Sequence, residues 1–339
     1  MKIVAGLGSI DEYIKFAEAG ADEFFCGYVP YSWYQKYGTV LPLNRREVLC
    51  YNVQLGAFSE LEILSGMMKK YEKPVHLTFN SLYYIPEQYP EIAGIISQCI
   101  KIGFHSYIIA DPALMVYLRE NGINCEIHLS GECGEINSQM VASLVKMRLK
   151  RVIFHRKNTF EDMKAVVDKC GKKDGTEGVP EFEAFVLNEM CQFTGAFCNS
   201  LHCDEMGYLC KVPYQIGTLK TGNAGSEIFN QEINGGHLLP DGFVPDDFHS
   251  LHDFSYDSAG YLCGETGCGL CALYQLKQAG ITHLKLVGRG NYTDYMEKDI
   301  RNLRMALNIL RESVDEIEFR RKLKLQIFPR GCSRNCYYR

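Results

Sequence analysis

The chain of 339 residues has an ordinary globular composition, 46% hydrophobic and 23% charged, and is long enough for one large core or two ordinary domains. Its net charge of −5, from 36 Lys and Arg against 41 Asp and Glu, argues against a protein covered by a basic surface for duplex nucleic acid. No apolar run approaches the length of a membrane span and the N-terminus turns acidic too early for a signal peptide, so we expect a cytoplasmic protein.

Short β-rich runs alternate with helical patterns along most of the chain. In the first unit a strand precedes a helix with a capping box at Ser9 and Glu12 and a stop at Gly20. Strands alternating with helices pair in parallel, and eight of them favour an α/β fold of the (β/α)8 TIM-like barrel type over a doubly wound open sheet. The predicted strands are 2–7, 23–29, 75–82, 106–111, 125–130, 151–156, 181–189 and 283–290. The predicted helices are 9–20, 58–72, 87–102, 112–122, 137–148, 159–171, 268–280 and 292–312.

A long cysteine-rich insertion interrupts this alternation after strand 7. Nearly eighty residues rich in Gly, Asn, Asp and His separate that strand from the helix at 268–280, far more than an ordinary connection. Because loops after strand C-termini build the active sites of barrel enzymes, we expect residues 189–267 to cover the catalytic mouth. The predicted barrel domain spans 1–312 and includes this insertion. Residues 313–339 form a basic C-terminal tail, which we expect to be a solvated tail or lid rather than an arm for RNA.

Seven of the fifteen cysteines lie in the insertion or at its C-terminal edge, and in a reducing compartment such clusters indicate metal or redox groups rather than disulfides. Four thiolates from separate loops can hold an iron–sulfur cluster or a tetrahedral zinc ion; a set of unligated thiols is the alternative. Only Cys268 and Cys271 among the seven have C-x2-C spacing, so the wide spacing of the others favours a larger cluster. Cys332 and Cys336 lie four apart in the tail, which could equally return to the mouth and supply a ligand. The seven cysteines are Cys191, Cys198, Cys203, Cys210, Cys263, Cys268 and Cys271.

Several segments resemble the U32 peptidase family. EAFVLNEMCQFTGAFC (183–198) is similar to its signature, in which a strand leads to two cysteines seven apart. KIVAGLGSIDEYIKFAEAGADEFFCG (2–27) and CGLCALYQLKQAGITHLKLVGR (268–289) are similar to its opening and closing segments, and IHLS (127–130) resembles a further strand. The resemblance covers most of residues 1–312. Four residues depart from the family pattern and indicate a divergent member: Asn188, Glu189, Ala196 and Val287.

The resemblance implies a barrel-like fold and a [4Fe–4S] cluster on Cys191, Cys198, Cys210 and Cys268, with Cys263 or Cys271 as alternatives to the last. Characterised relatives carry out oxygen-independent hydroxylations of RNA pyrimidines or ubiquinone precursors. The RNA-modifying members are associated with prephenate as the hydroxyl source, and collagenase-like members carry a protease assignment.

The predicted function is an oxygen-independent, iron–sulfur-dependent redox modification, a hydroxylation or a related reaction, in an anaerobic setting. The substrate is expected to be a small anionic or aromatic molecule, with single-stranded RNA less favoured because the chain is acidic overall. The alternatives are a collagenase-like peptidase and a non-catalytic iron–sulfur partner of another redox protein. Peptidase chemistry needs an activated nucleophile or an open metal site, and neither G-x-S-x-G nor H-E-x-x-H occurs in the sequence.

Residues at strand ends are the candidates for substrate binding. Arg156 and Arg289 lead, because guanidinium groups suit anionic substrates and GRGN opens the last helix with backbone N–H groups. His128 and Ser130 are two apart and share one face of a strand, so an inward His128 would be a catalytic acid–base group, whereas a structural histidine is the alternative. The remaining candidates are Asn80, Asp111, Glu132, His155, Asn188 and Lys285.

Overall fold

Nine strands and ten α-helices make up the part of the chain that the structure describes. The structure, a computed structural model, describes residues 1–38, 40–45, 53–134, 136–144, 147–170, 179–191 and 257–338. The strands are β1 (Lys2–Leu7), β2 (Glu23–Tyr28), β3 (Gln54–Leu55), β4 (Val75–Phe79), β5 (Ser106–Ile109), β6 (Glu126–Leu129), β7 (Leu149–Phe154), β8 (Glu181–Leu187) and β9 (His283–Leu286). The helices are α1 (Glu12–Ala19), α2 (Tyr31–Tyr37), α3 (Phe58–Tyr71), α4 (Gln88–Ile102), α5 (Pro112–Glu120), α6 (Ser138–Ser143), α7 (Phe160–Cys170), α8 (Leu273–Gln278), α9 (Thr293–Glu312) and α10 (Glu316–Ile327).

Eight of the strands close into a parallel barrel. Their order is β1-β9-β8-β7-β6-β5-β4-β2, and the pairing of β1 with β2 joins the two ends. The two-residue strand β3 pairs with β2 beside the barrel. The predicted (β/α)8 barrel is therefore confirmed, and each of the eight predicted strands corresponds to one barrel strand.

The insertion begins and ends at the C-terminal end of β8. The backbone N–H of Asn188 donates to Gly267 O at 2.9 Å, and that of Met190 donates to Thr266 O at 2.7 Å. The two flanks of the insertion are therefore paired with each other at the end of the barrel where active sites of this fold lie. Residues 192–256 lie outside the described part of the chain.

Four elements differ from the sequence prediction, one of which is the short strand β3. Helices α2 and α10 were not predicted, and the helix predicted at 268–280 opens with a 3-10 turn at Leu270–Ala272, so that its α-helical part is only α8. Among the described residues no helix is long and apolar enough to cross a bilayer. The other predicted helices are present, with α1 ending at Gly20, whose φ of 114° suits a residue without a Cβ.

The barrel interior has two layers. The upper one is apolar and consists of six side chains from alternate positions of the strands: Val4, Phe25, Ile108, Ile153, Phe185 and Val287. Below it, near the N-terminal ends of the strands, lies a charged network centred on Arg151, which is 2% exposed. Its guanidinium donates to Glu23 at 2.7 Å, to Glu183 at 2.9 Å and to Glu181 at 2.7 Å. This lower layer closes the floor of the barrel with mutually paired charges rather than with apolar side chains.

Candidate active site at the barrel mouth

A cavity of about 370 Å³ opens at the C-terminal ends of the barrel strands. Its floor is made of upper-layer side chains, among them the rings of Phe25 and Phe185, and its walls carry the cations Arg45, Arg156, Lys285 and Arg289. The volume is that of a site for a small molecule rather than for a polymer chain. An apolar floor beneath several cations fits a ligand with a carbon framework and at least one anionic group.

Arg156 is a buried cation of this cavity that is enclosed by aromatic rings and forms no ion pair with a described carboxylate. It follows β7, is 9% exposed, and its guanidinium lies 4.0 Å from the centroid of the Phe185 ring. Its Nε has no hydrogen-bond partner, and no carboxylate forms an ion pair with it, within the described residues. Burying a cation in this way is costly unless an anion accompanies it, so Arg156 is the natural contact for an anionic ligand.

Arg289 approaches the cavity from the end of β9. Its Nη1 donates to Gln54 Oε1 at 3.4 Å, and it passes over Gly27 of β2. A Cβ at Gly27 would lie 2.8 Å from Arg289 Nη1 and 1.4 Å from Gln54 Oε1, so this position has room only for glycine while the guanidinium stays in place. Strand β2 is thus shaped to admit the side chain of Arg289.

The two remaining cations have acidic partners. Lys285 Nζ donates to Glu183 at 2.9 Å and lies 3.6 Å from the centroid of the Phe25 ring, which connects the cavity floor to the charged network below. Arg45 Nε lies 3.6 Å from Glu132 Oε2. Sequence reasoning missed Arg45, because it lies in an irregular segment whose pattern gives no indication of what it faces.

The structure places His128 below the cavity rather than on its wall. It points into the barrel, but it is 1% exposed and its ring centroid lies 4.5 Å from that of His76 in the charged layer. Burial lowers the pKa of His128 well below its usual range. Ser130, one step nearer the mouth, does line the cavity and also accepts a hydrogen bond from Glu132 N at 3.2 Å. The acid–base role of His128 stays a prediction, and its surroundings match the structural alternative.

Three other candidates have structural contacts. Asp111 accepts from Ala113 N at 2.8 Å and so caps α5, and Asn188 Nδ2 donates to Asp299 at 2.8 Å and so holds the end of β8 to α9. His155 is fully buried, and its Nδ1 accepts from Lys157 N at 3.2 Å. Asn80, Glu132, Lys285 and both predicted arginines line the cavity with Ser130.

The predicted cluster ligands fall in different places. Cys191 lines the cavity, whereas Cys198, Cys203 and Cys210 lie outside the described residues. Cys268 lies beside a second, smaller cavity that Cys271, Cys332 and Cys336 also line. As they stand, no three Cys, His, Asp or Glu side chains in the described ranges are arranged to hold a metal ion. The [4Fe–4S] assignment therefore stays a prediction.

The end of the chain is not a solvated tail. Helix α10 packs against α8 and α9, and the segment after it returns to the barrel. Tyr338 OH donates to Phe185 O of β8 at 2.7 Å, and Tyr337 N donates to Cys268 O at 2.9 Å. The Tyr337 ring centroid lies 5.9 Å from the Arg156 guanidinium. The prediction of a solvated tail is wrong, and the alternative, a return toward the mouth, is what the structure shows.

Buried His155 makes the stability of the fold depend on pH. Burial lowers its pKa to about 4 from 6.5, so between these values the unfolded chain binds a proton that the folded chain excludes. Stability should therefore fall as the pH drops below 6.5, by about 2–3 kcal/mol between pH 7 and 4.5 from this group. In urea denaturation we expect His155→Gln to lose less stability over this range than the unaltered protein. Equal losses would show that His155 is protonated in the folded state.

Comparison with known proteins gives one family match and several remote structural likenesses. Residues 8–339 match the family model described as Peptidase family U32. A search of curated proteins finds no match. Similar solved structures include the U32 peptidase Mk0906, with 11% identity and a TM-score of 0.43. That match covers 58% of this chain and 73% of that chain. A glycerophosphodiester phosphodiesterase from Parabacteroides distasonis has 14% identity and TM-score 0.38, with 56% and 84% covered. For 2,3-dimethylmalate lyase the identity is 12% and the TM-score 0.35, with 58% and 71% covered. Likenesses this remote carry no information on activity.

Proposed function

The chain belongs to peptidase family U32, and from that membership we propose that it is an iron–sulfur redox enzyme that modifies a small anionic substrate without molecular oxygen. A hydroxylation is the reaction proposed. The observation that carries the proposal is Arg156, a buried cation with no ion pair in the described structure, at the mouth of a parallel barrel.

The charge and shape of the cavity support an anionic substrate with a ring or another flat carbon framework. Arg156 and Arg289 follow β7 and β9, the two neighbours of β8, so they flank the Phe185 ring on the floor. A carboxylate held by a guanidinium fork would leave the carbon framework against the rings of Phe185 and Phe25. Prephenate, which the family resemblance associates with RNA-modifying members as the hydroxyl source, carries carboxylates on a ring and is proposed as the hydroxyl donor.

Among the residues that the structure describes, the Cys191 thiol connects this cavity with the proposed cluster. Cys191 lines the same cavity as Arg156 and is the first of the ligands proposed from the sequence, with Cys198 and Cys210 following along the chain. A [4Fe–4S] cluster supplies one-electron transfer. The residues of the chain would bind and orient the substrate through Arg156 and Arg289, while the apolar floor excludes water from beneath it.

Cells that lack the gene, grown without oxygen, should lack one hydroxylated metabolite that the unaltered gene restores. Metabolites and modified nucleosides are compared by mass spectrometry in strains that carry no gene, the unaltered gene, Cys191→Ser or Cys170→Ser. We expect Cys191→Ser to fail and Cys170→Ser, a thiol on α7 away from the cavity, to restore the product. Anaerobically purified protein should contain about four irons and four sulfides per chain, and Cys191→Ser should lose them.

Two results would contradict the proposal. One is protein that contains no iron after anaerobic purification, and the other is cleavage of peptides by Cys191→Ser protein, which would favour the peptidase alternative. Loss of a modified nucleoside rather than a metabolite would move the substrate from a small molecule to RNA.

A further inference from the structure

We propose that Cys268, Cys271, Cys332 and Cys336 form a four-thiolate zinc site that fastens the C-terminal segment to the barrel. This site is separate from the mouth cavity and from the redox function proposed for it. If Cys268 binds zinc here, the fourth ligand of the proposed mouth cluster must come from another cysteine, such as Cys263.

Two closely spaced pairs of cysteines meet at one small cavity. Cys268 and Cys271 have C-x2-C spacing, Cys332 and Cys336 have C-x3-C spacing, and all four line a cavity of about 30 Å³. Paired knuckles of these spacings are typical of tetrahedral structural zinc sites. No local sequence pattern joins the two pairs, because sixty residues separate Cys271 from the second pair.

The backbone fixes the two pairs against each other. Cys268 N donates to Asn335 O at 2.7 Å, Tyr337 N donates to Cys268 O at 2.9 Å, and Cys268 and Cys336 form an isolated parallel bridge. Ser333 Oγ also donates to Gly264 O at 2.8 Å. The segment that carries one pair is thus hydrogen-bonded along the segment that carries the other. These contacts already hold the two segments together, so they lower the entropy cost of bringing the four ligands together.

Rotation of the side chains completes the site. Within the described residues no three ligand side chains converge as they stand, and the four cysteines are free thiols. Each Cys side chain has three staggered positions about Cα–Cβ, and the proposed site requires the rotamers that turn the four sulfurs toward a common centre. Binding of Zn²⁺ forms four Zn–S bonds and releases the four thiol protons to water.

Size and charge favour a zinc ion over an iron–sulfur cluster at this place. A cavity of about 30 Å³ holds roughly two water-sized spheres, enough for one ion but not for a cube of eight atoms. Four thiolates around Zn²⁺ carry two net negative charges. Arg334 lines the cavity; burial and the neighbouring thiols raise the pKa of the Cys271 thiol, while Lys324 and Arg320 of α10 act in the opposite direction. These cations offset the charge of the loaded site.

Metal analysis of purified protein tests the site directly. We expect about one zinc per chain, lowered about tenfold or more by Cys336→Ser and by Cys332→Ser, while Cys191→Ser keeps its zinc. Trypsin should cut after Arg330 or Arg334 faster once zinc is lost, because the segment is then held by hydrogen bonds alone. In apo Cys191→Ser protein, which lacks the proposed mouth cluster, added Co²⁺ should give the visible absorption of a tetrahedral thiolate site, and Cys336→Ser should abolish it.

The outcomes separate this site from the proposed mouth cluster. If Cys191→Ser protein loses its iron but keeps its zinc, the zinc site is supported independently of the proposed redox function. The inference is overturned if protein made in zinc-supplemented medium contains no zinc, or if Cys336→Ser keeps it. It is also overturned if Cys336→Ser loses iron instead, since the pair would then serve the cluster. Thiol titration that finds Cys332 and Cys336 joined as a disulfide would equally exclude the site.

Discussion

Arg156→Met should weaken binding of an anionic ligand about 100-fold or more while leaving the fold as stable as before, or more stable. The loss follows from removal of a desolvated charge partner, which typically costs 2–5 kcal/mol in binding, roughly a factor of 30 to several thousand. The gain follows because the folded protein no longer buries a cation that has no ion pair in the described structure. Binding of prephenate, measured by calorimetry under anaerobic conditions, and urea denaturation of the same samples provide the two readings.

Two control variants narrow the interpretation of that result. Arg156→Lys keeps the charge but not the planar fork, so we expect an intermediate affinity if the guanidinium binds a carboxylate through two hydrogen bonds. Arg301→Met removes an exposed arginine that pairs with Glu297 on α9, and it should leave binding unchanged. If Arg156→Met binds prephenate as tightly as the unaltered protein does, the anion role is wrong. If it binds as before but loses stability, Arg156 is a structural residue.

The barrel could be predicted from sequence because its signals are local. Each strand is a short apolar run, and each run is followed by a helix with its own start and stop, such as Pro112 at the start of α5 and Gly103 after α4. Helix α10 has such a signal too, since Asp315 accepts from Glu318 N at 2.8 Å in the manner of a capping motif. The tail prediction overlooked it, because the charged composition of the segment suggested a solvated chain.

The candidate site was predictable only in part, because the alternation of side chains along a strand indicates which way a side chain points but not its height along the barrel axis. The two-residue spacing of His128 and Ser130 predicted that both side chains share one face of the strand, without indicating whether that face is inward. It could not indicate that one lies in the charged floor and the other at the mouth, which depends on how the strands are staggered. The meeting of Cys268 with Cys336 is a long-range pairing, and no local pattern encodes it. Arg45 lies in an irregular segment, and no local pattern indicates that it lines the cavity.

Arg151 is five residues before Arg156, and its replacement should have the opposite effect. Arg151→Met should lower the free energy of unfolding at pH 7 by about 3–5 kcal/mol, because it removes a cation that two buried carboxylates share. Those carboxylates are Glu23 and Glu183, within 2.7 Å and 2.9 Å of the guanidinium. Although burial would raise it, Lys285 and Arg151 hold the pKa of Glu183 down to about 2, so the carboxylate stays charged down to strongly acidic pH. Urea denaturation followed by circular dichroism measures the loss.

Neutralising the stranded carboxylates separates a network effect from a simple loss of packing. The double variant Arg151→Met with Glu23→Gln should recover a substantial part of the stability lost by Arg151→Met, since one buried charge is removed along with its partner. In the unaltered protein Glu183 gives its stability above pH 4.5 and loses it as the pH falls toward about 2, so lowering the pH from 7 to 5 should not alter the stability of the unaltered protein through this group. A loss of stability below about 1 kcal/mol for Arg151→Met would mean that water in the space left by the guanidinium solvates the buried carboxylates. A double variant less stable than Arg151→Met would show that the glutamate carries a favourable interaction of its own, with His76 or His283, which lie 3.0 Å and 3.3 Å from it.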